Sequence, residues 1–161
     1  MIFEHICGRS MLVIDDRSYN HQSRWDKPDG LWLSVKGSDP DWREWCAMEQ
    51  FYTFKEPVGY VHQVDVDLSN VLILDSYEKL KGFHKTFSGA GTIERNRVKW
   101  DIVARHWKGI VIAPYQWRAR LSYIGWYYGW DCGSACIWDT SIVSNPRLVE
   151  TFHKQPQEML V

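Results

Sequence analysis

The chain has 161 residues, 45% of them hydrophobic and 24% charged, with a formal net charge of -1. These values fit one folded domain with its own core. They exclude a disordered tail and a protein that grips nucleic acid through a broad basic face. Cys7, Cys46, Cys132 and Cys136 are too scattered for paired zinc ligands, since only Cys132 and Cys136 are close, at an i,i+4 spacing. They read as free thiols. No stretch approaches ~18 apolar residues, and the N-terminus lacks a basic segment before a long apolar one. The expectation is a cytoplasmic monomer, a single domain over residues 1–161, with no metal.

Taken in chain order, residues 2–7 and 11–14 are short apolar runs that suit a strand or a helix start. Residues 15–29, with Asp15, Asp16, Asn20, Pro28 and Asp29, read as a loop closing in a turn. Gly30 to Val35 reads as a strand. Asp41 is an N-cap, and Glu44 three residues on completes a box, so a helix is predicted to about Gln50. Tyr60 to Asp67 alternates like a strand with one wet face. Val71 to Asp75 follows as a buried strand.

Ser76 caps a helix over residues 77–83, and the polar stretch 84–97, with Gly89 and Gly91, reads as a loop. Trp100 to His106 fits one face of a short helix ended by Gly109, and Ile110 to Ala113 is a strand halted by Pro114. Residues 116–130 are aromatic-rich and leave helix and strand both open. Ala135 to Trp138 reads as the last core strand, extended through residues 140–143. Asn145-Pro146 closes the core, and the tail from Arg147 reads as a short helix or frayed end. The elements do not repeat as βαβ units. They predict an α+β fold of two small packed sheets with a few short helices.

Many motifs are absent: no phosphate loop, no dinucleotide glycine fingerprint, no H-E-x-x-H and no G-x-S-x-G elbow. Ten tryptophans and eight tyrosines fill a core of short elements, and a few could line a groove for a planar ring. His5 and Cys7 share a strand face. They are either packed core side chains or a thiolate beside a histidine, and the usual burial of free cysteine favours the first. Asp131 sits in an aromatic, glycine-rich bend before a strand. It is either a partly desolvated catalytic carboxylate or the cap of a turn. Arg95, Arg97, Lys99 and Arg105 beside Trp100 are either a solvated face or a site for stacking nucleobases.

The order of parts resembles a small ADP-ribosyltransferase. Phe3-Glu4-His5-Ile6-Cys7 is similar to the family's opening strand, with His5 at its histidine. Leu31-Trp32-Leu33-Ser34 is similar to its second strand, followed by a helix carrying Trp42 and Trp45. Asp131 to Ile137 resembles the acidic segment of small phage-encoded transferases, including an anti-CRISPR type. Lys27 to Trp32 and Trp130 to Trp138 also look like tailed-phage proteins.

The resemblance implies a split core of two sheets and an enzyme that cleaves NAD as substrate. It implies transfer of ADP-ribose to a host protein or nucleic acid, in phage counter-defence or host takeover within the host cytoplasm. Asp131 would be the catalytic carboxylate. His5 and Ser34 would bind ribose hydroxyls, Trp32 or Trp42 would pack on a ring of NAD, and Tyr115 would wall the pocket. Departures are specific. Cys7 stands where the family has Ser or Thr, Asp131 where Glu is commoner, and Trp42 near a stacking tyrosine. No Glu-x-Glu or Gln-x-Glu precedes the last strand, which points away from arginine as acceptor. The alternative is a binding or inhibitor module on the same fold, taking a nucleotide-like ligand or a host protein without chemistry.

Overall fold

The computed structural model describes residues 1–19, 21, 27–49, 51, 54–88, 97–122 and 124–154. Asn20, Gln50, Gly89, Gly91 and Arg95, named above, lie outside the described residues. The order of elements is β1 (Phe3–Cys7), β2 (Leu31–Val35), α1 (Trp42–Glu49), β3 (Val58–Val66), β4 (Leu72–Ile73), α2 (Tyr77–Phe87), α3 (Trp100–Val103), β5 (Gly109–Ile112), α4 (Trp117–Arg120), β6 (Ser134–Ile137) and β7 (Val143–His153). The fold is α+β. No helix among the described residues is long and apolar enough to cross a membrane.

All seven strands join one sheet in the order β4-β5-β6-β2-β1-β3-β7. Only β4 and β5 run parallel; the other neighbours are antiparallel. The ladder is uneven. β1 meets β3 at five positions, from Phe3↔Val64 to Cys7↔Tyr60. β2 meets β6 from Leu31↔Ile137 to Ser34↔Ser134. Between β1 and β2, however, pairing covers only Phe3↔Val35 and Glu4↔Ser34. That short seam joins the β4-β5-β6-β2 strands to the β1-β3-β7 strands, and the β4–β5 ladder is equally short.

Residues directly opposite in antiparallel strands share a face, and neighbours along a strand alternate. Leu33, Ala135 and Val111 therefore lie on one face, with Phe3, Val35 and Val64, and the segment carrying Leu12 and Ile14 packs over them. Cys136, Ile110 and Ile112 lie on the other, beneath Leu80 and Phe83 of α2, Trp100 and Val103 of α3, and Trp126 and Tyr127. α1 joins that second face. Its Arg43 grips Glu150 of β7 with both guanidinium nitrogens, and Glu150 pairs with Val61. The chain order thus leaves one sheet face helical and the other under an irregular strap.

Several expectations change. The two small packed sheets expected are one seven-stranded sheet. Thr140–Ile142, read as extending the last core strand, is a 3-10 turn. The tail beyond Asn145-Pro146 is neither helix nor frayed end: β7 runs to His153 and supplies the outer edge beside β3. An edge strand tolerates proline, because one row of its N–H groups has no partner to lose. Asn145 takes a positive φ of 50° where the register shifts, which lets the chain continue past Pro146. Gly109, read as a helix stop, opens β5; a Cβ there would meet Cys136 O at 2.9 Å. In addition, α2 continues to Phe87, into the stretch read as loop.

Candidate active site

Beyond the short seam, β1 continues to Cys7 and β2 begins at Leu31, yet His5–Cys7 and Leu31–Leu33 form no ladder with each other. The two strands part there. His5 lies on the Leu33 side by alternation, while Trp32 and Ser34 lie on the helical side. The His5 ring nevertheless reaches across the parting, with Nδ1 3.0 Å from the Trp32 carbonyl oxygen. Burial holds its pKa below the ordinary value, against the opposing pull of that hydrogen bond. A neutral imidazole in this position donates from Nδ1 and keeps Nε2 as an acceptor.

On the helical side the sequence builds α1 against the seam. Asp41 Oδ1 accepts from the Arg43 and Glu44 N–H groups at 3.0 Å, and Glu44 Oε2 accepts from Asp41 N–H at 3.0 Å. This is the reciprocal box expected from Asp41 and Glu44. Ser34 Oγ takes a further N–H, that of Trp42, at 3.0 Å. Ser34 is thereby fixed to the start of α1, and Trp42 stacks on Trp45 with centroids 4.9 Å apart. Beside Ser34, buried Glu4 accepts from Lys36 Nζ at 3.0 Å and Gln63 Nε2 at 3.2 Å.

The aromatic stretch left unassigned by sequence forms α4 and a 3-10 turn, Gly125–Gly129. Their joint is Arg120. Its Nη1 donates to the Tyr115 hydroxyl and to the carbonyls of Tyr128 and Trp130, each at 3.0 Å. The Tyr115 hydroxyl itself donates to Trp130 O at 2.7 Å. These bonds fix the bend that presents Asp131. Its carboxylate is 23% exposed and sits 3.5 Å from Arg120 and 3.6 Å from Lys27. Lys27 also lies over the Trp32 ring at 5.3 Å, and Trp32 meets Trp130 edge-on at 4.8 Å.

The thiols of α1 and of this bend sense the same carboxylate. Burial pushes the Cys46 and Cys132 thiols up to about 12, and the nearby Asp131 carboxylate adds to both shifts. Burial raises the Tyr115 phenol as well, opposed by Arg120. Neither cysteine is a ready nucleophile, because the thiolate is the reactive form. Among the described residues no group of three or more His, Cys, Asp or Glu is placed to hold a metal ion.

Trp32, Tyr115 and Asp131 are thus linked through Trp130 and Arg120, and Ser34 and Trp42 are linked to each other at the start of α1. His5 touches this set only through the Trp32 carbonyl. Lys27, Arg120 and Trp130 were given no site role by sequence; for Arg120 and Trp130 the available signal was arginines interleaved with aromatics in residues 116–130. Trp100, the ring beside the other basic cluster, is only 2% exposed and so offers no face for stacking. No protein-family model, curated protein or solved structure matches the chain.

Proposed function

We propose that this protein is an ADP-ribosyltransferase-like enzyme that cleaves NAD at the parted β1–β2 seam and transfers ADP-ribose to a host macromolecule. The observation that carries the reading is the arrangement of Asp131. A partly buried carboxylate is linked to the Trp32 ring through Lys27, on the side of the sheet where Ser34 anchors α1. The two-pair β1–β2 seam in the middle of the single sheet is where the strand parting of the implied split core would fall.

The chemistry asks for these groups. As the bond between ribose C1 and the nicotinamide nitrogen breaks, nicotinamide leaves with the electron pair and positive charge develops on the sugar. Asp131 stabilises that charge. A nucleophilic atom of the acceptor then forms the new bond at C1 and loses its proton to solvent. Arg120 and Lys27, which both pair with Asp131, leave the cluster one net positive charge, which suits the pyrophosphate of the dinucleotide. Trp32 and Trp42 offer rings for the nicotinamide or adenine, and His5 Nε2 an acceptor for a ribose hydroxyl. A phage counter-defence role follows from the resemblance alone.

The test is release of nicotinamide from NAD, in host lysate, by the protein and its Asp131→Asn variant. Release by the first and a loss of at least about a hundredfold in the second are expected, since one charge-stabilising group is worth that much. Circular dichroism checks that the variant stays folded. Undiminished release in a folded Asp131→Asn protein would remove Asp131 from the chemistry. NAD binding without release by either would favour the non-catalytic module.

A further inference from the structure

α4 and the turn that follows it expose rings that the core does not use. Trp117 is 53% exposed, Tyr128 66% and Leu121 86%. Such large apolar groups in one neighbourhood mark a contact surface rather than scattered exposure. Cations lie between the rings. Arg120 sits over the Tyr128 ring at 4.5 Å, and Arg118 over Tyr77 at 4.1 Å. From Tyr77 the exposed Lys81 and Lys85 follow at i+4 and i+8, so they continue the same stripe along α2 for about 12 Å. Neither Lys81 nor Lys85 has an ion pair among the described residues. The carboxylates that pair with Arg118 and Arg120 there are Glu78 at 3.9 Å and Asp131 at 3.5 Å. Four cations therefore face two carboxylates along a track that ends at Asp131.

We infer that this track, from Lys85 through Arg118 and Trp117 to Tyr128, binds single-stranded nucleic acid. Phosphates meet the lysines and arginines, and unstacked bases lie on Trp117 and Tyr128. An acidic peptide would satisfy the cations but has no planar groups for the two rings. Duplexes keep their bases stacked and offer the rings nothing. The net charge of -1 does not oppose a local track, because screening confines each charge to about 8–10 Å. The inference goes beyond the NAD reading and does not depend on it, since binding is measured without NAD.

The experiment is fluorescence anisotropy of labelled oligo(dT) and oligo(U), each about 20 nucleotides long. Saturable binding of at least one is expected, weakening steeply between about 50 and 200 mM salt. Trp117→Ala and Tyr128→Ala should each weaken it by about tenfold. A Lys81→Glu, Lys85→Glu double variant should bind more weakly and with a shallower salt dependence. Thermal melting checks that each variant is folded. Three results would each overturn the inference: no binding at low salt, full-strength binding by both folded ring variants, or displacement of the probe as readily by polyglutamate as by unlabelled oligonucleotide.

Discussion

At the scale of single residues, His21 carries a cost that the sequence did not advertise. It is 8% exposed, packs edge-on against Trp138 at 5.2 Å, and neither ring nitrogen has a hydrogen-bond partner among the described residues. Burial lowers its pKa, outweighing the attraction of Asp29 and Asp101. A lowered histidine pKa means that the unfolded chain takes up a proton below about pH 6.5 while the folded chain does not. Stability should therefore fall as pH drops below that value, and His5, shifted the same way, adds to the fall. Urea denaturation at pH 7.5 and 5.5 should show a smaller loss for His21→Phe than for the wild type. An equal loss in the two proteins would mean that His21 is protonated in the folded state. The depressed carboxylates, such as Asp139 held by Ser141, titrate in a lower range and leave this window clear.

Legibility at this scale depended on how local the cause was. Asp131 could be singled out because glycine and aromatic residues surround it in sequence. Its neighbours could not, because Lys27 and Arg120 reach it from elsewhere in the chain. Ser34 was assigned a ribose contact, and the structure gives its oxygen a cap to fill at Trp42.

Among elements, α1 shows what short-range chemistry can predict. The Asp41–Glu44 box is written in four residues, and it formed as read. Asp41→Ala would orphan the Arg43 and Glu44 N–H groups and should cost about 1 kcal/mol in thermal or urea unfolding. Stability unchanged by the substitution would show that water caps this helix as well as Asp41 does. β7 shows the opposite limit. Its only buried residue is Val143, so it has little hydrophobic pattern to read, and Asn145-Pro146 looks like a terminator. What makes it a strand is the open edge of β3, which lies about 80 residues earlier in the chain. The aromatic stretch before Asp131 failed for a related reason. Its shape is set by Arg120 and Tyr115 bonding to distant carbonyls, not by periodicity.

For the whole molecule, composition and element order were enough for an α+β fold, but not for the sheet's continuity. In place of the two small packed sheets expected there is one seven-stranded sheet, continuous where Phe3 and Glu4 meet Val35 and Ser34. Strand order across such a seam depends on pairings between residues some 30 positions apart, which no local pattern encodes. The proposed function draws on both junctions, since the seam brings His5 to the Trp32 backbone and the β2–β6 ladder brings Trp32 to the bend before β6.

The most direct measurement follows the ring signals of the tryptophans and histidines by NMR as NAD is added to the Asp131→Asn protein, which should bind without consuming it. Saturable shifts of the Trp32 and Trp42 indole N–H signals and of His5 are expected, with His106, which packs beside Trp107 after α3, unmoved. Signals that stay fixed at about 1 mM NAD, the upper end of ordinary substrate affinities, or that move only around His106, would contradict an NAD site at the β1–β2 seam.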